Sequence, residues 1–584
     1  MFYNYFSFDT ILDILIKYRV KLAFQIHKVT YLDGLTKTPS DYLSLNHKKT
    51  DLVFLQDILP PRKQWSRPKS IRERQNLGTA LEINRRAIKN TVFKVHRKFV
   101  DKEIGFLETP IWYQNLRKLM FDLRAQVFQS QEVKINSPEI IPKAKNKRGI
   151  EMRPIANFDI RSRIILSITN KYLTNLFDPI FLSCSSAFRL QIDDIKSPKH
   201  HDAIKKLKKF RESYAKEDLY VAECDIQKFF DCVDHNTIKK QYVRLKESLE
   251  MKGFTVDPVA EKILIAFLEC YSFNNDVFPK NNEDTYWSPY KKKGNFGWTS
   301  NLELAFNNHQ LDTARIGIPQ GGALSGLIVN IIMHHVDEMV TSASSKDTLY
   351  LRYCDDMVII ARSEQECSHL FNIYQDGLKN MKLEYHEPHK LRRRYSKHFW
   401  GDKVKSRATY LWSKVASPSN VPYSKWVSFL GYMISFDGQI KIRKKSLEKQ
   451  IEKHGRELAL AIRKLNKLSP EELTKIQNSV LYSFQSKLYS MAVGKVDLSK
   501  YREQPTKMCW GDGFKLIENN KYVRQQLRKL DRSRGETISS MKRYLNNRLI
   551  PIPEIDENPV PAKKKRNPKI RYPHSFYSLL ERKL

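Results

Sequence analysis

Cysteine is scarce in this sequence, and its spacing excludes the small frameworks that cysteines build. The chain has seven cysteines in 584 residues, and none of them forms a Cys-x-x-Cys pair. The sequence therefore predicts neither a zinc ribbon nor a disulfide-stapled fold. Because free thiols persist in reducing compartments, we expect a cytoplasmic protein.

A membrane-spanning segment is also missing from the sequence. No apolar run reaches about 18 residues, the length at which a bilayer-spanning helix is inferred. The first residues are apolar, but Asp9 and Asp13 interrupt them, and they show neither a basic leader nor a small-residue cleavage site. This pattern is not that of a secretory signal. We therefore predict a protein without a membrane partner.

Acidic residues are too few to balance the basic ones. Lys and Arg total 102 while Asp and Glu total 64, which gives a formal net charge of +38. An excess of this size indicates a polyanionic partner, and nucleic acid is the most economical one. The hydrophobic content of 41% predicts packed domains rather than disorder. A chain of this length is expected to form two to four domains.

Two local patterns predict particular elements. The basic stretch KAKNKRG, residues 143–149, separates two short apolar runs and indicates a hairpin that presents cations. Ser469, Pro470 and Glu472 match the first residues of a capped helix, and apolar residues then recur at helical spacing.

Two acidic clusters each border an apolar, strand-like run. In LYLRYCDDMVIIAR, Asp355 and Asp356 lie between two β-prone arms, and LYVAECD ends at Asp225. Adjacent carboxylates repel each other, and their burial is costly unless a cation neutralises them. If the two clusters meet in space, three carboxylates bind two Mg²⁺ ions, or Mn²⁺ in their place, and promote an in-line phosphoryl displacement. Adjacent Asp pairs also occur where they are only solvated, which is our interpretation of Asp193–Asp194.

The order of several motifs resembles that of reverse transcriptases, from about residue 139 to about residue 435. The matching stretches are IPKAKNKRGIEMRPI and FLSCSSAFRL in the fingers, DIQKFFD for motif A, IGIPQGGALSGLIVN for motif B, YCDD for motif C, GLKNMKLEYHEPHK for motif D and FLGYMIS for the primer grip. Each block is weak or moderate evidence alone. Their shared order and spacing make the resemblance specific.

The resemblance implies a role for each of three carboxylates. Asp225 and Asp355 would be the main metal ligands and Asp356 would support them, and all three are the implied catalytic residues. Phe230 would be the steric gate, because a bulky ring there clashes with a ribose 2′-OH. The alternative for Phe230 is an ordinary core aromatic. Phe229 is expected to point the other way, into the core, on a strand.

The resemblance also implies a set of substrate-binding residues. These are Phe230, Gln320, Gly321, Arg153, Lys145, Lys147 and Tyr353. Gln320 and Gly321 would line the incoming sugar and base, and Tyr353 would pack under the primer end. Arg153, with either lysine of the basic turn, would grip the triphosphate. Lys390 is a candidate acid for the leaving pyrophosphate.

The fold that the resemblance implies is α+β. It is a right-hand polymerase with fingers and palm, built from an antiparallel sheet with helices, and an α-helical thumb. The expected regions are an N-terminal helical extension (1–130), fingers and the start of the palm (131–240), an insertion (241–315), the palm (316–440), a helical thumb-like domain (441–550) and a basic tail (551–584). The polar, aromatic loop inside the insertion resembles an added segment more than a core element.

The implied function is RNA-directed DNA synthesis from dNTPs by two-metal nucleotidyl transfer. Motif B has Ser325–Gly326 where Ser-Pro is usual, and no ribonuclease H, integrase or HNH endonuclease block is found. The chain therefore looks most similar to bacterial reverse transcriptases of antiphage defence, with an RNA template or non-coding RNA as partner and DNA as product. A homo-oligomer and a partner reverse transcriptase both stay open. The alternatives are a group II intron-type maturase and a non-catalytic RNA-binding scaffold.

Overall fold

The computed structural model describes most of the chain with side chains. The described residues are 1–27, 46–66, 80–145, 150–215, 217–290, 293–297, 314–388, 404–415, 421–497, 502–504, 509–548 and 574–581. Among these residues, every helix is too short or too polar to cross a bilayer.

The N-terminal region is built from helices. They are α1 (Phe8–His27), α2 (Asn46–Asp57), α3 (Ala80–Val100) and α4 (Ile111–Phe128). Each described helix buries an apolar stripe, with Leu15, Ile88 and Leu116 among the fully or almost fully buried side chains. These side chains belong to the same hydrophobic cluster as the helices between residues 160 and 380. The N-terminal helices are therefore packed onto that part of the chain.

A two-stranded hairpin follows the N-terminal helices. Strands β1 (Glu139–Ala144) and β2 (Met152–Asn157) are antiparallel, and Lys143 is the partner of Arg153. The predicted cation-bearing hairpin is confirmed. Helix α5 (Ile160–Phe177) then begins at Asp159, whose carboxylate accepts a hydrogen bond from the Ser162 amide. A short β3 (Gln191–Ile192) and β4 (Ile195–Lys196) pair precedes α6 (His200–Ser213).

The next region begins with a central strand and continues as helices. It comprises β5 (Leu219–Asp225), α7 (Phe229–Cys232), α8 (His235–Glu250), α9 (Pro258–Glu269) and α10 (Asp284–Trp287). The loop expected to be an added segment contributes Trp287 and Phe296, 3% and 0% exposed, to the main core. These two rings are therefore part of the main core, because burial of a large aromatic side chain is strongly favourable.

The central sheet has five strands. After α11 (Ser325–Ala343) come β6 (Leu349–Tyr353), β7 (Asp356–Ala361), α12 (Glu364–Asn380), β8 (Arg407–Trp412) and β9 (Tyr423–Ser424), and the strand order is β6-β7-β5-β8-β9. Alternate residues of β7 enter two different cores, since Ile359 belongs to one cluster and Val358 and Ile360 to the other. Both faces of the sheet are therefore covered.

The C-terminal region combines a small sheet with long helices. Its elements are β10 (Trp426–Phe429), β11 (Tyr432–Ser435), β12 (Ile440–Ile442), α13 (Lys444–Leu465), α14 (Pro470–Val493), β13 (Lys495–Asp497), β14 (Arg502–Gln504), α15 (Trp510–Gly513), α16 (Lys521–Arg548) and α17 (Ser578–Glu581). Ser469 and Glu472 form the predicted capping box of α14. The whole is an α+β fold in which a helical end follows an antiparallel sheet, as expected.

Candidate active site

The hairpin of β6 and β7 carries two of the predicted carboxylates at its tip. Tyr353 pairs with Asp356, so Cys354 and Asp355 form a two-residue turn. Cys354 has a φ of 60°, which is uncommon for a residue with a side chain and costs backbone strain. The turn places Asp355 at the tip and Asp356 at the first position of β7.

The third carboxylate comes from the neighbouring strand. β5 is antiparallel to β7, and the Cα partner of Asp225 in this pairing is Asp356. Directly opposed residues in such a ladder lie about 5 Å apart at Cα. The structure therefore brings Asp225, Asp355 and Asp356 to one edge of the sheet, although 130 residues separate the two clusters in sequence.

The electrostatics of this edge show an excess of negative charge. Burial, together with the charge of Asp225, raises the pKa of Asp355 above its ordinary value. Burial and the charges of Asp355 and Asp225 raise the pKa of Asp356 to about 7, even though its side chain reaches solvent. Arg443 and Lys405 offset only part of this repulsion. The site is thus prepared for additional positive charge.

Asp225 has a lysine partner. The Lys405 ammonium lies 3.2 Å from Asp225 Oδ2, and His386 Nε2 lies 3.9 Å from the same oxygen. Lys405 borders a cleft beside the carboxylates and is about half exposed. A divalent cation at Asp225 would therefore compete with this ammonium.

The cleft beside the carboxylates has a volume of about 190 Å³. Asp225 and Asp356 line one side, and the turn between β10 and β11, with Leu430 and Gly431, lines the other. This turn has φ of 49° and 86° at Leu430 and Gly431, as in a tight two-residue hairpin turn. The stretch that resembles a primer grip is thus next to the carboxylates.

The donor set at this edge fits a hard divalent cation by chemistry and charge. Carboxylate oxygens are the ligands that Mg²⁺ and Mn²⁺ prefer, and the raised pKa values of Asp355 and Asp356 mark carboxylates that lack a neutralising partner. In the described part of the chain, however, no three or more acidic, His or Cys side chains already converge on one point that could hold a metal. The carboxylates are neighbours but not a closed cage.

A buried arginine, Arg352, is hydrogen-bonded to the turn of the β6–β7 hairpin. Arg352 is fully buried, and its guanidinium donates two hydrogen bonds to Asp337, of 2.8 and 2.6 Å. It also donates to the Cys354 carbonyl at 3.1 Å and to Ser185 Oγ at 2.8 Å. Because Asp337 is on α11, this network ties the turn to the helix of motif B. Sequence reasoning missed Arg352, since one cation inside an apolar strand gave no signal of a partner.

The steric-gate candidate lies on a helical turn. Lys228 adopts a left-handed conformation and redirects the chain from β5 into α7. Phe229 is buried, 2% exposed, and Phe230 is half-buried with its ring 5.7 Å from that of Phe229. The prediction that Phe229 enters the core is confirmed, but the predicted strand is wrong, because β5 ends at Asp225 and Lys228 turns the chain into α7 before either ring.

Gln320 and Gly321 lie between the β1–β2 hairpin and α7. The Gln320 carbonyl accepts a hydrogen bond from the Ala156 amide at 2.9 Å, and its side-chain Nε2 donates to Asp231 Oδ1 at 2.9 Å. Gly321 has a φ of 109°, and a Cβ there would lie 3.2 Å from the Ala156 carbonyl. Glycine is therefore required at this close approach.

Two of the predicted phosphate-binding cations act electrostatically on acids of the candidate site. Lys145 forms a 2.7 Å ion pair with Glu151, and the charge of Arg153 partly offsets the raised pKa of both Asp355 and Asp231. Lys147 and Lys390 lie outside the described residues. The charge of Arg153 thus acts on both Asp355 and Asp231, and that of Lys145 acts on Asp231.

Tyr353 and the motif B departure have local explanations. Tyr353 is half-buried between the two clusters that cover the sheet. At the unusual Gly326, a Cβ would lie only 2.7 Å from Phe188 Cγ. The Phe188 ring occupies the space that a side chain at position 326 would need, so the two positions are coupled.

Comparisons with known proteins come from one family model and several structures. Residues 141–434, just over half of the chain, match the model described as reverse transcriptase (RNA-dependent DNA polymerase). A search of curated proteins finds no match. A telomerase structure from Candida albicans with a fragment of telomeric RNA is 13% identical, with a TM-score of 0.32, covering 87% of this chain and 80% of that one. An apo telomerase from Candida tropicalis is 10% identical, with a TM-score of 0.32, covering 89% of this chain and 84% of that one.

Proposed function

The chain belongs to the reverse transcriptase family, and we propose that it is an active RNA-directed DNA polymerase that joins dNTPs by two-metal nucleotidyl transfer. The observation that carries this proposal is the register of the central sheet, in which Asp225 is the Cα partner of Asp356 beside the Asp355 turn. The raised pKa values of Asp355 and Asp356 support it, because such carboxylates favour a cation.

Asp225, Asp355 and Asp356 would hold the metal ions. When bound, two Mg²⁺ ions, or Mn²⁺ in their place, supply stabilisation for the attacking and leaving oxygens of phosphoryl transfer. The remaining residues bind and orient. Lys145, Lys147 and Arg153 would contact the triphosphate, and a guanidinium suits this task because its planar fork matches phosphate oxygens.

Residues of α7, motif B and the β6–β7 hairpin would make the sugar and primer contacts. Phe230 would exclude a ribose 2′-OH by its bulk, and Gln320 with Gly321 would line the sugar and base. Tyr353 would support the primer end next to the carboxylates. The basic helices from Lys444 onwards would hold the template–product duplex through phosphate contacts, so binding is expected to weaken with salt.

We further propose that the template is carried by a bound non-coding RNA and that the enzyme acts in bacterial antiphage defence. The formal charge of +38 supports a stable RNA partner. The N-terminal helices and the long helical C-terminal region, which resemble those of defence-associated reverse transcriptases, support this role. A homo-oligomer or a partner reverse transcriptase would be compatible with either role.

The experiment combines activity with sequencing. Purified protein is given Mg²⁺, dNTPs and a primed RNA template, and Asp355→Ala serves as the matched inactive variant. DNA synthesis by the wild type alone is expected. Product formed equally by both proteins, or by neither on any template, would contradict the polymerase. Nucleic acid that co-purifies with the protein is sequenced, and intron RNA there would favour a maturase over a defence enzyme.

A further inference from the structure

Asp231 is a buried carboxylate that the proposed mechanism does not use. It lies in α7, next to Phe230, and its side chain is only 7% exposed. Its Oδ1 accepts the 2.9 Å hydrogen bond from Gln320 Nε2. Within the described residues, no cation comes within ion-pair distance of it. Burial of a carboxylate that has a single amide partner costs folding free energy. Such a residue is therefore a candidate for a functional role.

Three cations surround Asp231 at longer range. They are Lys145, Lys228 and Arg153, whose charges act on the Asp231 carboxylate. Two of them are held by other groups, since Lys145 pairs with Glu151 and the Lys228 ammonium donates to the Gly297 carbonyl. Asp231 is therefore a counter-charge that these three cations share. Burial outweighs this support and raises the pKa of Asp231 to about 6.

The hydrogen bond to Asp231 also fixes which way the Gln320 amide faces. A carboxylate accepts and does not donate when ionised, so the amide NH₂ of Gln320 is directed to Asp231. The amide oxygen of Gln320 is then left for a ligand, and in the described residues it has no protein donor. An incoming nucleotide offers hydroxyl and base N–H donors to such an oxygen.

We propose that Asp231 is a positioning residue for the incoming deoxynucleotide, which orients Gln320 and keeps Lys145, Lys228 and Arg153 gathered around the triphosphate position. The inference rests on the proposed polymerase function, because the ligand is the dNTP of that reaction. Asp231 acts through other side chains and does not contact the reacting atoms. The chemical class of the ligand is a nucleoside triphosphate.

A purely structural role makes different predictions. Asp234, three residues later, is equally buried at 1% exposure and caps α8 by accepting from the Thr237 amide at 3.0 Å. Asp234→Ala is therefore the matched control, because it removes a buried aspartate to which the proposed mechanism assigns no role. Loss of this cap should lower the melting temperature and leave the KM for dNTP unchanged.

The experiment measures kcat and the KM for dNTP separately on a primed RNA template. Asp231→Ala should raise the KM about tenfold, the size expected for losing one hydrogen bond to a charged group, with kcat changed less than about threefold. Asp231→Asn keeps the shape and removes the charge, so its KM should lie between those of the wild type and Asp231→Ala. Because the two residues act as one unit, Gln320→Ala combined with Asp231→Ala should be no worse than the poorer single variant.

A binding readout keeps the test independent of catalysis. With a primer that ends in a dideoxynucleotide, the next dNTP should raise the melting temperature of the wild type and raise that of Asp231→Ala much less. An unchanged dNTP shift in Asp231→Ala, or additive KM effects of the two substitutions, would overturn the inference. If Asp231→Ala does not fold, the isosteric Asp231→Asn carries the same comparison. If the wild type binds dNTP but makes no DNA, the proposed function is refuted. The dNTP-induced melting shifts of the wild type and Asp231→Ala then decide the inference by themselves.

Discussion

The buried acids around the candidate active site are of two kinds, those paired with an arginine and those without a cationic partner. Asp337 is 1% exposed and receives two hydrogen bonds from Arg352 and one of 2.8 Å from Tyr350. Glu223 is likewise paired with Arg407 at 2.7 Å. Asp231, 7% exposed, has only the Gln320 amide. The same fold thus neutralises some carboxylates fully and leaves others with unbalanced charge.

The position of each acid explains the difference. Asp337 joins α11 to the β6–β7 hairpin, where an ion pair with additional hydrogen bonds holds two elements in register. Asp355 lies at the tip of the β6–β7 hairpin and Asp231 lies next to Phe230, and burial raises the pKa of both carboxyl groups. A direct arginine partner there would remove the charge that a cationic ligand, or the cations of a phosphate site, must meet. An acid without a cationic partner therefore favours a functional position, whereas the balanced pair of Asp337 and Arg352 supports the fold.

The largest effect is expected from removing an unbalanced acid at the hairpin tip. Asp355→Asn should lower nucleotide incorporation at least about 10²-fold, a typical loss when one electrostatic stabiliser of a transition state is removed. Primer extension on an RNA template measures it. Asp194→Asn, in the exposed Asp193–Asp194 pair, is the control and should keep full activity. Equal losses in both variants would contradict the contrast between the two Asp pairs.

Removing Arg352, the partner of Asp337, should instead lower the free energy of unfolding. Arg352→Met leaves Asp337 buried without its cation, and the unfolding free energy should fall by about 3–5 kcal/mol. Urea denaturation monitored by circular dichroism measures it. Adding Asp337→Leu to Arg352→Met removes the orphaned charge and should restore most of the loss. A double variant as unstable as the single one would show that the hairpin needs the ion pair for more than charge balance.

The titration of Asp231 should appear as a pH dependence of stability. Its pKa is raised to about 6 in the folded protein, so between about pH 4 and pH 6 the folded state binds more protons than the unfolded state. The unfolding free energy should therefore fall as the pH rises through this window, by up to about 3 kcal/mol. Asp231→Asn lacks the titrating group and should not show this part of the slope. Parallel curves for both proteins would contradict the unbalanced environment.

Much of this arrangement was predictable because local patterns carried it. The apolar run that ends in Asp225 and the two arms around Cys354 and Asp355 contain their own strand and turn signals. The cation-bearing hairpin with Lys143 and Arg153 was predictable for the same reason. These elements need only nearest neighbours in sequence, so the carboxylate edge followed once the two strands were assumed to pair.

The supporting contacts were not predictable, because they join residues that are distant in sequence. Nothing local indicates that Arg352 meets Asp337 or that Asp231 meets Gln320. Lys228 has a left-handed backbone that no residue type at that position announces, and it moves Phe229 and Phe230 from a strand to a helix. Phe296 lies in a polar stretch of the sequence, which gave no sign that its ring is buried in the core. Each miss concerns a tertiary contact that overrides a local preference.

The smallest effect is expected at Asp225, because its ion-pair partner Lys405 is exposed to solvent and the pair is therefore weak. Lys405→Ala removes the 3.2 Å ion pair to Asp225, and stability should change by less than about 1 kcal/mol because solvent screens such pairs. The same ammonium competes with a divalent cation for the carboxylate, so half-maximal activity should require up to about fivefold less Mg²⁺. Lys425→Ala, which breaks an equally exposed pair with Asp437 at 3.1 Å, is the control and should leave the Mg²⁺ requirement unchanged. A Mg²⁺ requirement that rises in Lys405→Ala would instead mean that Lys405 assists the ligand, and Asp225 would then belong with the balanced acids.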